Sequence, residues 1–397
     1  MWTPIAIPGL FLPKITEIRD TIVSALENGY RPSPGVFDGA AGLAIFLSEY
    51  DRYHGARENA GIVEMLIEGA FEQIQAEWPT ASFCQGVSGL LWATDYLNRY
   101  HALDMQFDLD DVAICLLNEM EVLSGMDNFD YLHGADGIWM YLMKRAADID
   151  QDHLNKHLWE IYRQSEKDAN GIKWESYVDF RTQEKGYNLS LSHGISARII
   201  LLSRMLHSQP DPKLADTLKQ AVGFLSSCKN QQPGFRSVFP GYVKAVVQPG
   251  NSRLGWCYGD MGNAFALYTA GKALEDHALI AEALSVMRHA AGRRNPEDNS
   301  VFDAGLCHGT AGIAHMFNRM YQSAGGEEFR DAALYWYTQT LDHAVFTDGL
   351  SGYKKYDAER GWQNEYAMLE GIAGIGLSLL AGIDSHNPAW DESLLLS

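Results

Sequence analysis

Cys257, Cys307 and His308 are the residues of this chain whose types best suit chemistry. They sit in Gly255-Trp256-Cys257-Tyr258-Gly259 and in Leu306-Cys307-His308-Gly309, each cysteine two residues ahead of a Gly-x-x-Gly. Two soft thiolates and one imidazole are the donor set of a three-ligand zinc site, which keeps one coordination position open for a reactant. Neither stretch is a Cys-x-x-Cys, so the residues alone leave metal binding and packing both open. Such a site exists only if the fold brings two distant segments together.

The elements that would do this recur along the chain. A Gly-x-x-Gly unit appears seven times, with its first glycine at 39, 86, 134, 194, 259, 309 and 371; in the fourth unit Ala197 replaces the second glycine. Each unit opens an apolar run, such as Ala44-Ile45-Phe46-Leu47 or Ile199-Ile200-Leu201-Leu202, apolar nearly all round as in a buried helix. Between these runs lie amphipathic patterns. Ile15, Ile18, Ile22 and Leu26 form one stripe, and similar helices fit 59–77, 109–123, 152–166, 213–228, 279–290 and 327–343. Outer and inner helices therefore alternate seven times, which predicts an all-α chain of seven helical hairpins closing into an α/α toroid as one domain over 1–397. An open solenoid would expose the apolar inner helices at its ends.

In that register the residue before each first glycine, in order Asp38, Gln85, His133, His193, Tyr258, His308 and Glu370, falls at one end of the inner helices. All seven are polar on segments that then turn apolar, which predicts either a ring of site residues or plain turn and cap chemistry. Cys257 and Cys307 occupy equivalent positions in consecutive repeats and are expected to be neighbours. Cys84 shares the position three repeats away and reads as packing, as do Cys115 and Cys228 within amphipathic patterns.

Taken together, seven Gly-x-x-Gly units, Trp-Cys-Tyr-Gly, Cys-His-Gly and Leu369-Glu370-Gly371-Ile372-Ala373-Gly374 make the whole chain resemble the lanthionine synthetase C-like family of lanthipeptide cyclases. The resemblance implies an α/α toroid with Zn2+ on Cys257, Cys307 and His308. It implies His193 as the acid/base histidine, Asp130 as the aspartate that orients it, Arg253 as the cation that stabilises an enolate, and Tyr258 as a residue that helps position the site. The implied reaction is Michael-type addition of a peptide cysteine thiol to dehydroalanine or dehydrobutyrine, forming a lanthionine or methyllanthionine thioether ring. Implied partners are a dehydrated precursor peptide, a dehydratase and a membrane exporter. Some relatives carry a β-rich extension; here the polar, turn-rich stretches 167–188 and 230–252 are expected to form short hairpins or loops over the mouth.

Composition narrows the alternatives. Asp and Glu number 51 against 31 Lys and Arg, a net charge of -20, which argues against nucleic acid as a partner. No apolar run reaches the roughly 18 to 20 residues of a membrane span, and the start of the chain does not read as a signal peptide. Five scattered cysteines suggest reduced thiols in a cytoplasm, with attachment to a membrane-associated complex at most peripheral. Three rival functions keep the helical repeat: a relative that adds glutathione to dehydroamino acids, a prenyl or terpene enzyme, and a zinc-stabilised scaffold that binds peptides. Asp108-Leu109-Asp110-Asp111 has the look of a terpene cyclase motif, but it opens an outer helix, where acids are ordinary first-turn residues.

Overall fold

A computed structural model describes residues 2–77, 80–105, 110–146, 149, 151–179, 182, 184–244 and 250–397. Among them the inner helices are α2 (Ala40–His54), α4 (Val87–His101), α6 (Ala135–Lys144), α8 (Ile195–Ser208), α10 (Asp260–Ala273), α12 (Thr310–Ala324) and α14 (Ile372–Ile383). The outer helices are α1 (Pro8–Glu27), α3 (Ala60–Ala76), α5 (Asp110–Gly125), α7 (Gln151–Arg163), α9 (Pro212–Ser227), α11 (His277–Ala291) and α13 (Glu327–Asp342). Each inner helix begins straight after the first glycine of a repeat unit and each outer helix coincides with an amphipathic pattern. The chain thus has the all-α, repeated-hairpin class of an α/α toroid. Asp108 and Leu109 lie outside the described residues; α5 opens at Asp110.

The two helix kinds differ in burial for the expected reason. On α1 only Phe11, Ile15, Ile18, Ile22 and Leu26 are buried, one stripe at helical spacing. On α14 every residue from Ile372 to Ile383 is buried. Outer helices α9 and α11 begin with side-chain caps, Asp211 on the Leu214 N–H at 2.8 Å and Asp276 on the Leu279 N–H at 3.0 Å. The inner helices begin differently. Their cap position is the first glycine, and the next N–H donates to a carbonyl seven residues back: Ala40 to Ser33, Val87 to Thr80, Ala135 to Asn128, Thr310 to Asp303 and Ile372 to Glu365. A backbone carbonyl supplies the acceptor, so the side chain before the glycine is not consumed as the helix cap.

The chain divides into two compact units, Met1–Phe107 with Pro296–Ser397, and Asp108–Asn295. In the first, inner helices α12, α14, α2 and α4 pack in succession, and α1 packs on α14 and α2. Backbone bonds stitch neighbouring repeat turns across this unit: Cys307 N–H to Leu369 O (2.9 Å), Leu369 N–H to Phe37 O (2.9 Å) and Phe37 N–H to Cys84 O (3.1 Å). The seventh repeat is thereby joined directly to the first. In the second unit α6, α8 and α10 pack in succession, and Leu191 N–H donates to Cys257 O at 3.1 Å.

Strands are short accessories. β1 (Glu166–Asp168) with β2 (Gly171–Lys173) and β3 (Ser176–Asp179) with β4 (Glu184–Asn188) form two antiparallel hairpins in the stretch 167–188. In 230–252 only β5 (Tyr242–Val243) forms, pairing with β4, and residues 245–249 lie outside the described residues. A hairpin that the sequence patterns do not announce, β6 (Lys355–Asp357) with β7 (Gly361–Gln363), belongs to the first unit. One sequence expectation is corrected: Cys115 is exposed, not a packing residue, whereas Cys84 and Cys228 are buried. The buried stripe of α5 runs through Leu116, Leu117, Met120 and Ser124, and Cys115 lies off it.

Candidate functional site

The Gly-x-x-Gly turn sets where each candidate side chain stands. Six residues before the first glycine the chain has Ser33, Thr80, Asn128, Asn188, Arg253, Asp303 and Glu365, all polar. In five repeats this side chain accepts the N–H two residues on: Thr80 from Ser82, Asn128 from Asp130, Asn188 from Ser190, Asp303 from Gly305 and Glu365 from Ala367. Such a local bond builds the turn. A guanidinium cannot accept, so Arg253 cannot play this part. Its turn is held instead by Arg293, which donates to Ser252 O at 2.7 Å and pairs with Asp260 at 2.8 Å. Among the described residues no ion pair or side-chain hydrogen bond engages the Arg253 guanidinium, which leaves it available to a ligand. This repeat is also the one whose first glycine has a positive φ. Gly259 sits at +103°, where a Cβ would lie 2.1 Å from Arg253 O.

The second unit carries an acid–base pair. His193 Nδ1 lies 2.6 Å from Asp130 Oδ2, and Asp130 Oδ1 accepts the N–H groups of Leu132 and His133, each at 2.8 Å. Burial opposes ionisation of Asp130, but the charge and bond of His193, with help from His133, outweigh it and hold the carboxyl below its ordinary range. Burial likewise opposes a charged imidazole, yet Asp130 outweighs it and holds His193 above its ordinary 6.5. His133 stacks near His193 with ring centroids 6.1 Å apart, and burial, reinforced by the His193 charge, pushes it down. One carboxylate thus faces two histidines whose charged forms the site favours to different degrees, the bonded ring more and the stacked ring less. Phe129, next to Asp130, is fixed by buried Arg198, which donates to its carbonyl and pairs with Asp136 at 3.0 Å. The Tyr258 ring lies 6.1 Å from His193, and its hydroxyl accepts from Asn188 at 3.2 Å. A cleft of about 50 Å³, bounded by Asp130, Trp174, Tyr177, Lys185 and Arg198, opens beside His193.

The ligand atoms of Cys257, Cys307 and His308 all lie within 4.8 Å of one another. Donor atoms on a tetrahedral zinc, with Zn–S near 2.3 Å, stand about 3.8 Å apart, so these residues fit the ion in both type and spacing. Cys257 is buried and its carbonyl is fixed by Leu191 and Ser192. His308 is partly exposed, and its Nε2 lies 3.9 Å from Asp303 Oδ2. Asp303 also accepts the Tyr356 N–H at 2.9 Å, so one carboxylate touches both the histidine and β6. Metal-bound histidines are commonly oriented by a carboxylate on the other ring nitrogen.

The structure therefore groups the three thiol and imidazole donors, and separately groups Asp130, His193 and Tyr258. Sequence reasoning overlooked Asp303, Asn188 and Arg198, and it named His133 only as one of seven ring positions. The polar residue six before each glycine was the available signal for Asp303 and Asn188.

Comparison with known proteins bears on the fold and the family. No curated protein matches the sequence. Among solved structures, the nisin cyclase aligns over 98% of both chains with a TM-score of 0.73 at 17% identity, a likeness of fold. A sugar epimerase from a ruminal bacterium aligns over 87% of both chains at 12% identity with a TM-score of 0.42, too low to carry an argument. The family model of lanthionine synthetase C-like proteins matches residues 33–395. This chain, nearly all of it within that match, belongs to the lanthionine synthetase C-like family.

Proposed function

We propose that this protein is a zinc-dependent lanthipeptide cyclase that closes thioether rings in a dehydrated peptide. The observation that carries the reading is the convergence of Cys257, Cys307 and His308, a three-ligand donor set, the kind that leaves zinc one coordination position for a reactant. Zinc bound there would hold a substrate cysteine as its thiolate, well below the ordinary thiol pKa near 8.5. In the overall reaction the substrate sulfur bonds to the β-carbon of dehydroalanine or dehydrobutyrine, the C=C π bond is lost, and a proton arrives at the α-carbon. Nothing leaves, so the product is isomeric with the substrate.

The protein's own residues account for the proton and the charge. His193, whose charged form Asp130 favours against burial, is the donor to the α-carbon, and it recovers a proton from the incoming thiol. The Arg253 guanidinium is the cation this reading assigns to the negative charge that develops on the enolate oxygen. Tyr258, anchored through Asn188, positions the substrate beside His193. A dehydrated precursor peptide is the partner this chemistry requires, and free thiols fit a reducing cytoplasm. No described helix is long and apolar enough to cross a membrane. Metal analysis tests the ligand assignment: Cys257→Ala and His308→Ala should each lose most bound zinc and at least a hundredfold of the ring-closing rate. Full cyclisation by a zinc-free variant would refute it.

A further inference from the structure

We infer that Asn188 is a positioning residue that makes the Tyr258 hydroxyl a hydrogen-bond donor for the enolate oxygen of the substrate. The inference rests on the cyclase reading and adds a second group, besides Arg253, for the developing charge. Asn188 ends β4 and is 2% exposed. Its backbone N–H donates to Ser176 Oγ at 3.2 Å, which ties it to β3. Its side-chain oxygen accepts the Ser190 N–H at 3.0 Å, and its side-chain nitrogen donates to the Tyr177 carbonyl at 3.4 Å. A backbone N–H only donates and a carbonyl only accepts, so both contacts fix the amide the same way round. The nitrogen is therefore the end that meets the Tyr258 hydroxyl, at 3.2 Å. An amide nitrogen cannot accept, so the phenol oxygen receives this bond and the phenol proton is not spent on Asn188. Among the described residues no hydrogen bond uses that proton.

The same short chain of bonds sets His193. Ser190, whose N–H holds the amide, accepts the His193 N–H on its hydroxyl at 3.0 Å. The half-buried Tyr258 ring lies 6.1 Å from the His193 ring. The acid that serves the α-carbon and the phenol are thus held in one register. In the substrate the carbonyl carbon is bonded to that α-carbon, so the oxygen that gathers charge stands close to the atom His193 protonates. A neutral O–H already free of other acceptors meets that charge without reorganisation. The phenol keeps its proton throughout, and the proton of the new C–H bond comes from His193.

The chain itself shows which substitution isolates this role. Asp303 holds the place equivalent to Asn188, six residues before the first glycine, and builds its turn by accepting the Gly305 N–H at 3.1 Å. A carboxylate at position 188 should therefore keep the turn. An ionised carboxylate has no proton to give to Tyr258, however, and draws the phenol proton to itself. One end of the Asn188 side chain is turn chemistry that an acid can supply; the other end is the part that only an amide supplies.

The test compares Asn188→Asp, Tyr258→Phe and the double variant, each full-length and zinc-loaded, on a dehydrated, cysteine-containing peptide. Asn188→Asp should lower kcat about 10–100-fold, the scale of one lost oxyanion donor, with KM and zinc content at the wild-type level. In the Tyr258→Phe background the same change should cost less than about twofold, because Asn188 acts through the phenol. The Raman ring doublet of tyrosine reports whether a phenol donates or accepts. Taken as the difference from the matching Tyr258→Phe protein, the Tyr258 doublet should move toward the donor state in Asn188→Asp. A wild-type kcat in Asn188→Asp, a loss confined to KM, an undiminished loss in the Tyr258→Phe background or an unmoved doublet overturns the inference. Should Asn188→Asp fail to fold, Asn188→Ala should lower kcat about fivefold with the same dependence on Tyr258. Independence from Tyr258 there is equally contrary. The two claims separate cleanly. A wild type that closes no rings refutes the cyclase reading, and with it the enolate as acceptor, while the doublet still decides how the phenol is held. Ring closure with an unmoved doublet refutes the role of Asn188 alone.

Discussion

His193 shows how a single carboxylate sets a residue to a task. Asp130 sits buried between two imidazoles, bonds one at 2.6 Å and takes the backbone N–H of the other's residue. The bonded ring is held up and the stacked ring is pushed down. Positioned acid–base groups contribute roughly 10²–10⁴-fold to rates. His193→Asn should therefore slow ring closure by about 10²–10³-fold while zinc per chain stays at the wild-type level. Ring closure at the wild-type rate would remove His193 from the mechanism. Burial pushes the Cys228 thiol up to about 12, the behaviour of an inert packing residue, and Cys115 stands exposed on an outer helix.

At the scale of the element, the Gly-x-x-Gly turn is the device that repeats. A Cβ at Gly312 would fall 1.9 Å from Leu306 O, the carbonyl one residue ahead of Cys307. Gly312→Ala should cost about 2–4 kcal/mol in a denaturant titration, through the forced shift of the turn that carries two ligands. Gly69→Ala, in open space within α3, should instead gain about 0.5–1 kcal/mol. Equal effects at the two positions would contradict this view of the turn. These elements were largely legible in the sequence, because burial on one stripe or on all sides leaves different periodicities, as α1 and α14 illustrate. The β6–β7 hairpin was not, because three-residue strands carry too little alternation to announce themselves. Asp303 stood out only by its place six residues before the glycine, and its tie to Tyr356 is a tertiary contact that no local pattern announces. Cys115 misled because a helical pattern shows that a face is buried without fixing which neighbour of the stripe is left out.

Across the molecule, stability is tied to pH through a buried histidine in each unit. His157 bonds Ser124 and lies 3.4 Å from Asp136; His315 bonds Asp391 at 2.8 Å. Burial holds both below their ordinary 6.5 despite these carboxylates. In the unfolded chain they take up protons near 6.5, whereas the fold resists protonation until lower pH. The stability they contribute is complete above about 6.5 and is lost as pH falls through the depressed folded values. The melting midpoint should therefore drop between pH 7 and pH 5, and a flat profile over that interval would contradict the burial of neutral rings. The most direct test of function is to incubate the zinc-loaded protein with a dehydrated, cysteine-containing peptide and follow free thiol together with mass. Loss of thiol at constant mass, with thioether linkages on fragmentation and none formed after zinc is chelated away, is the predicted result. Persistence of the free thiols with the metal in place would contradict it.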